Sequence, residues 1–235
     1  RIAIREGHLD QAQTGLIDVL SLDPKRLGTY YELAQLYRLR KNEKSAEALL
    51  IKATTVVPTS ASPEWALAQY YAATKRPMEA EVHYQKAQSL APKNKAIYFA
   101  LADFYLKNRQ TKKAQSKLLA ATSINPKDPY PFIMLGDFYL LMGKKTDAES
   151  AYQKAKTADT NVLLSQAKLA DLYLLMGEKK KAEGQIEEIY STSPNDPAGP
   201  FFKGRLFLLT HNGKEALEQF IQAVKRDPQY LDVHY

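Results

Sequence analysis

Apolar side chains return along this chain every 34 residues, and within each period they fall into two stripes. With residue 27 taken as position 1, position 7 holds Leu33, Leu67, Leu101, Leu135 and Leu169, then Lys203. Position 8 holds Ala34, Ala68, Ala102, Gly136, Ala170 and Gly204. Position 11 holds Tyr37, Tyr71, Tyr105, Tyr139, Tyr173 and Phe207. With position 4, these sites have the i, i+3, i+4, i+7 spacing of one helix face. Positions 20 (Ala46, Ala80, Ala114, Ala148, Ala182, Ala216), 24 (Leu50, Tyr84, Leu118, Tyr152, Ile186, Phe220) and 27 form a second stripe. Small residues at 8 and 20 let two antiparallel helices approach closely, and the large residues beside them fill the remaining space. Each period therefore predicts a helix–turn–helix.

The punctuation repeats with the same spacing. Prolines stand at 24, 58, 92, 126, 194 and 228, each ending a second helix, with Thr160 in the missing slot. Gly7, Gly143, Gly177 and Gly213 are expected in the turn between paired helices, where positive φ is needed. Pro77 suits the first turn of a second helix. Full units are expected at 27–60, 61–94, 95–128, 129–162, 163–196 and 197–230, with a partial unit at 1–26 and a new one starting at 231–235. No linker interrupts them, so 1–235 reads as a single array. The chain lacks an initial Met and is read as a fragment.

These residues resemble the tetratricopeptide repeat family over essentially the whole chain. That family's pattern is large–Leu–Gly/Ala–Tyr in the first helix, Ala–aromatic–Ala in the second, then Pro. The departures are Lys203, Ile189 and Thr160, with Glu64 and Gln166 where the family prefers an aromatic. The resemblance implies an all-α fold, a right-handed superhelical α-solenoid of antiparallel helix pairs. One unit cannot bury its own apolar face, so stacking supplies the core.

Composition removes several kinds of chemistry. There is no cysteine, hence no disulfide or thiolate. No apolar run is long enough to span a bilayer, and the N-terminus is not a signal peptide. The histidines His8, His83, His211 and His234 occupy four different unit positions and are read as isolated. No metal-binding, nucleophile-elbow or phosphate-loop motif occurs. The expectation is a non-enzymatic chain with no cofactor, metal or small-molecule substrate.

By the resemblance, first helices carry the partner surface at positions 2, 5, 6, 9, 12 and 13. The residues carried over are Tyr31, Gln35, Trp65, Gln69, Phe99, Asp103, Leu106, Asp137, Leu140, Asp171 and Leu174. Asp103, Asp137 and Asp171 form an acidic ladder flanked by leucines, suited to a segment with basic and apolar side chains. The basic and amide residues with which some family members clamp an acidic chaperone tail are missing. Trp65, Gln69, Ala100, Tyr130 and Met134 fill those slots.

The net charge is +7, and cations gather at the turn within each unit and its flank: Lys75, Arg76, Arg109, Lys112, Lys113, Lys144, Lys145, Lys179, Lys180 and Lys181. Such an edge suits an anionic partner. The function expected is a scaffold gripping a protein or peptide segment in its groove, as part of a larger complex-organising protein. Three alternatives stand beside it. They are a bacterial envelope protein assisting exopolysaccharide or protein export, a polyanion or nucleic-acid binder, and the targeting arm of a larger enzyme. Cytoplasm and envelope both remain open.

Overall fold

A computed structural model describes residues 8–158 and 162–230. Gly7, Thr160 and His234 lie outside them. Among the described residues there are thirteen α-helices and no strand. The chain divides into two compact units, residues 1–117 and 118–235.

The first unit contains α1 (Leu9–Leu22), α2 (Leu27–Leu39), α3 (Glu43–Val56), α4 (Ala61–Ala73), α5 (Pro77–Leu90) and α6 (Lys95–Lys107). The boundary falls inside α7 (Thr111–Ile124). The second unit contains α8 (Pro129–Leu141), α9 (Lys145–Ala158), α10 (Leu163–Met176), α11 (Lys179–Thr192), α12 (Ala198–Leu209) and α13 (Gly213–Arg226). Within each unit every helix packs on its neighbours in sequence, and α10 also packs on α12.

The buried set follows the two stripes. Leu33, Leu67, Leu101 and Leu169 are buried, as are the alanines at positions 20 and 27. Position 10 joins them in every repeat, with Leu36, Tyr70, Phe104, Phe138, Leu172 and Leu206 all buried. Position 10 lies three residues after position 7, so it widens the same face. Lys203, out of place in an apolar column, is exposed.

Two glycines answer to close packing. A Cβ on Gly136 would lie 2.3 Å from the Tyr152 ring, and one on Gly204 would lie 2.7 Å from the Phe220 ring. Both partners occupy position 24, so an aromatic there takes the volume that a methyl at position 8 would need. The position 24 aromatic of the second repeat, Tyr84, packs its ring on Phe104 with centroids 5.3 Å apart. Gly199 faces the Tyr190 ring in the same way, whereas Gly184 meets open space.

Each helix pair is joined by one turn geometry. Lys41, Lys75, Arg109, Gly143, Gly177 and His211 all have positive φ, between 57° and 73°. All six stand at position 15. The next N–H donates back to the carbonyl at position 11, as from Arg76 to Tyr71 at 2.9 Å and from Lys144 to Tyr139 at 2.8 Å. The N–H of position 15 itself reaches the carbonyl at position 12. This is the Schellman closure, which satisfies carbonyls that the helix end would leave orphaned. Gly143 and Gly177 fill the left-handed slot as expected. Gly213 does not: it begins α13, and His211 takes the slot instead.

Second helices end at the residue before a ladder proline, as at Asp23, Val57, Ala91, Ser193 and Asp227. Tyrosines at position 4 fasten the junction. Tyr30 donates to the Pro24 carbonyl at 3.0 Å and Tyr98 to the Pro92 carbonyl at 2.9 Å.

Candidate functional site

The first helices present two kinds of open cleft. In the first unit, α2 and α4 line a cleft of about 490 Å³ with Tyr31, Gln35, Arg38, Trp65, Gln69, Tyr70 and Ala73 among its residues. Four of the groove residues read from sequence therefore meet there. The cleft holds one charged side chain, Arg38, which approaches Glu43 only at 3.8 Å and lies 5.8 Å from the Tyr70 ring centroid. The indole nitrogen of Trp65 is buried and has no hydrogen-bond partner among the described residues. A second cleft of about 370 Å³ in this unit contains Asp103. That carboxylate pairs with Lys107 on its own helix at 2.7 Å.

In the second unit, α10 and α12 line a cleft of about 350 Å³ with Leu164, Ala167, Lys168, Asp171, Phe201, Phe202 and Arg205. Its charges are matched. Asp137 accepts from Lys168 at 2.8 and 3.0 Å and from the Tyr152 hydroxyl at 2.6 Å. Burial, reinforced by that carboxylate, pushes the Tyr152 hydroxyl far above its ordinary value, so it stays a donor. Asp171 pairs with Arg205. Each aspartate of the expected ladder thus has a cation of this chain beside it. Of the flanking leucines, Leu106 and Leu140 are half-buried and Leu174 is buried, as is Phe201. Phe99 is half-buried.

The basic residues of the turns divide into two sets. In one set, three successive-repeat contacts share one design. Tyr71 donates to Glu47 Oε1 at 2.8 Å, and Arg76 Nη1 donates to the same oxygen at 2.8 Å. Tyr105 and Lys113 meet Glu81 Oε1 at 2.9 and 2.7 Å. Tyr173 and Lys181 meet Glu149 Oε1 at 2.8 and 3.2 Å. The cation also lies against the tyrosine ring, 4.4 Å away for Arg76, 5.1 Å for Lys113 and 5.2 Å for Lys181. A position 21 glutamate of one repeat therefore ties down the position 11 tyrosine and a turn cation of the next. The Lys113 hydrogen bond, aided by Tyr105 and opposed by burial, holds the Glu81 carboxyl below its ordinary value. Burial and the Glu47 contact push Tyr71 up to about 12. The other set consists of Lys75, Arg109, Lys112, Lys144, Lys145, Lys179 and Lys180, which are exposed and have no acidic partner among the described residues.

The departures at position 4 make a polar interior that the sequence reading missed. Glu64 is 2% exposed, with Oε2 at 2.6 Å from His83 Nδ1 and Oε1 at 2.5 Å from Lys86 Nζ. His83, read as isolated, is thus the partner of a buried carboxylate. Gln166 is buried and accepts from Thr192 Oγ1 at 3.0 Å. The available signal was the pairing of a polar position 4 with hydrogen-bonding residues at positions 23 and 30 of the same repeat. Among the described residues, no group of three or more His, Asp or Glu could hold a metal ion, and no helix is long and apolar enough to cross a membrane.

Family profiles described as tetratricopeptide repeat match residues 71–132 and 131–161. Residues 71–161 carry the tetratricopeptide repeat. Solved structures of similar fold include that of PilF from Pseudomonas aeruginosa, at 21% identity and a TM-score of 0.55, covering 97% of each chain. YrrB, described as a tetratricopeptide-repeat protein with an unusual peptide-binding site, aligns at 19% identity and a TM-score of 0.51, over 77% of this chain and 94% of its own. A repeat protein from Parabacteroides merdae aligns at 15% identity and a TM-score of 0.54, over 99% and 92%. At these identities the likeness carries the fold alone. No curated protein matches. The tetratricopeptide repeat matched at residues 71–161 indicates an interaction or scaffold role, with no partner shown.

Proposed function

We propose that this chain is a non-enzymatic scaffold that grips a partner segment along the first helices of its repeats. One observation carries the reading: side chains from positions 5 and 9 of successive repeats converge on an open cleft in each unit. Such clefts combine apolar walls with a few convergent polar groups, the composition of a recognition site. YrrB, of the same fold, is described as having a peptide-binding site. The second helices offer a contrast, because α9 presents a shallow face lined by Thr146, Ser150, Gln153 and Lys154, without an aromatic anchor.

The test is site-specific photo-cross-linking in cells. A photoreactive residue at Gln69 or Leu164, on the first helices, should capture the same partner. One at Ser150, on the outer helix, should not. Capture from Ser150 alone would sink the groove reading.

A further inference from the structure

Resting on that groove reading, we infer that the α2–α4 cleft selects an extended peptide bearing an acidic side chain close to an aromatic or large aliphatic one. The expected aspartate ladder pointed to a basic partner, but Asp137 and Asp171 are answered within the chain by Lys168 and Arg205, and only Asp103, in a solvent-open pair with Lys107, stays accessible. A basic ligand at Asp137 or Asp171 would have to displace those cations. The α2–α4 cleft has the opposite balance. Arg38 is its one charged residue, and no carboxylate lines it. The closest acid, Glu43, sits 3.8 Å from Arg38 Nε, and both side chains are open to solvent, so that pairing is weak. A guanidinium over an aromatic ring with an unfilled donor set is a natural receptor for a carboxylate.

Three further features shape the ligand. Tyr31 and Trp65 supply aromatic walls for an apolar anchor. The Trp65 indole N–H is buried without an acceptor among the described residues, a costly state that a ligand carbonyl would relieve if the ring turned toward the cleft. Gln35 and Gln69 occupy the same position in successive repeats, and both are exposed. An amide side chain can pair with both the N–H and the C=O of a passing peptide backbone. Two of them, one repeat apart, suit a strand held by its main chain, with specificity left to Arg38 and the aromatic wall.

The experiment pans a phage library of random twelve-residue peptides on the whole chain. Selected peptides should carry Asp or Glu within a few residues of Phe, Trp or Leu. Their affinity should fall about tenfold on Arg38→Glu, the loss expected for one charge-assisted hydrogen bond. Exchanging the peptide's acid for Lys should restore binding to the Arg38→Glu chain and to no other. Circular dichroism checks that the variants fold, and exposed Gln69→Ala serves as a second groove variant if Trp65→Ala does not. Peptides indifferent to Arg38→Glu but weakened by Trp65→Ala or Gln69→Ala would overturn the acidic specificity and leave the groove reading standing. Peptides indifferent to all three changes, or none selected, would overturn both.

Discussion

Position 15 of the repeat forces one residue into the left-handed region, and in four of the six described turns that residue is not glycine. Lys41, Lys75, Arg109 and His211 adopt φ between 57° and 62° in the slot that Gly143 and Gly177 fill at 73°. A side chain in that region costs about 1–2 kcal/mol, from Cβ crowding the following carbonyl. Replacement by glycine removes the crowding but adds about 0.5–1 kcal/mol of unfolded-state entropy. Arg109→Gly should therefore stabilise the chain by about 0.5–1 kcal/mol, and Gly177→Ala should destabilise it by about 1 kcal/mol. Denaturant midpoints at constant m-value measure both, and a lower midpoint for Arg109→Gly would refute the strain. This slot was only half legible in the sequence. Asn212-Gly213 looks like a turn with its own glycine, yet the backbone bonds from Asn212 to Phe207 and from His211 to Leu208 place the left-handed residue two positions earlier.

Helices and their pairing were legible because both depend on periodic apolar positions, and one wrong residue such as Lys203 does not disturb a column. The polar links between helices were not, because a glutamate at position 21 looks like any solvent-facing charge. Only the fold brings Glu81 beneath the Tyr105 hydroxyl and the Lys113 ammonium. That link should be sensitive to acid. The folded carboxyl of Glu81 is held below its ordinary 4.5, so its contribution is complete above that pH and disappears as pH falls through the depressed value. Glu81→Gln should lower the thermal midpoint at pH 7 and have progressively less effect as the pH drops below 4. A difference from the parent chain that is constant from pH 7 to 3 would show that the carboxylate charge is not what stabilises the contact.

Over the whole molecule, the excess of cations has two uses that composition alone cannot separate. Arg76, Lys113 and Lys181 are bound to position 21 glutamates, and Lys168 and Arg205 to groove aspartates. Lys144, Lys145, Lys179 and Lys180 are exposed at the turns of the second unit. Three of these, with Lys181, occupy first turns of α9 and α11, where the helix dipole already favours anions, so their potential adds to that of the helix ends. Proposing this edge as the contact for an anionic partner predicts a division between the two sets. Changing Lys144, Lys145, Lys179 and Lys180 together to Glu should abolish retention on heparin and flatten its dependence on salt, because released counterions scale with the cations engaged. Thermal stability should be unchanged or slightly higher, since the new acids complement the helix N-termini. Changing Arg76, Lys113 and Lys181 to Gln should do the reverse, lowering the thermal midpoint while leaving most heparin retention in place. Equal loss of retention from both sets would mean that the polyanion follows net charge, and the turns would then have no special claim on it.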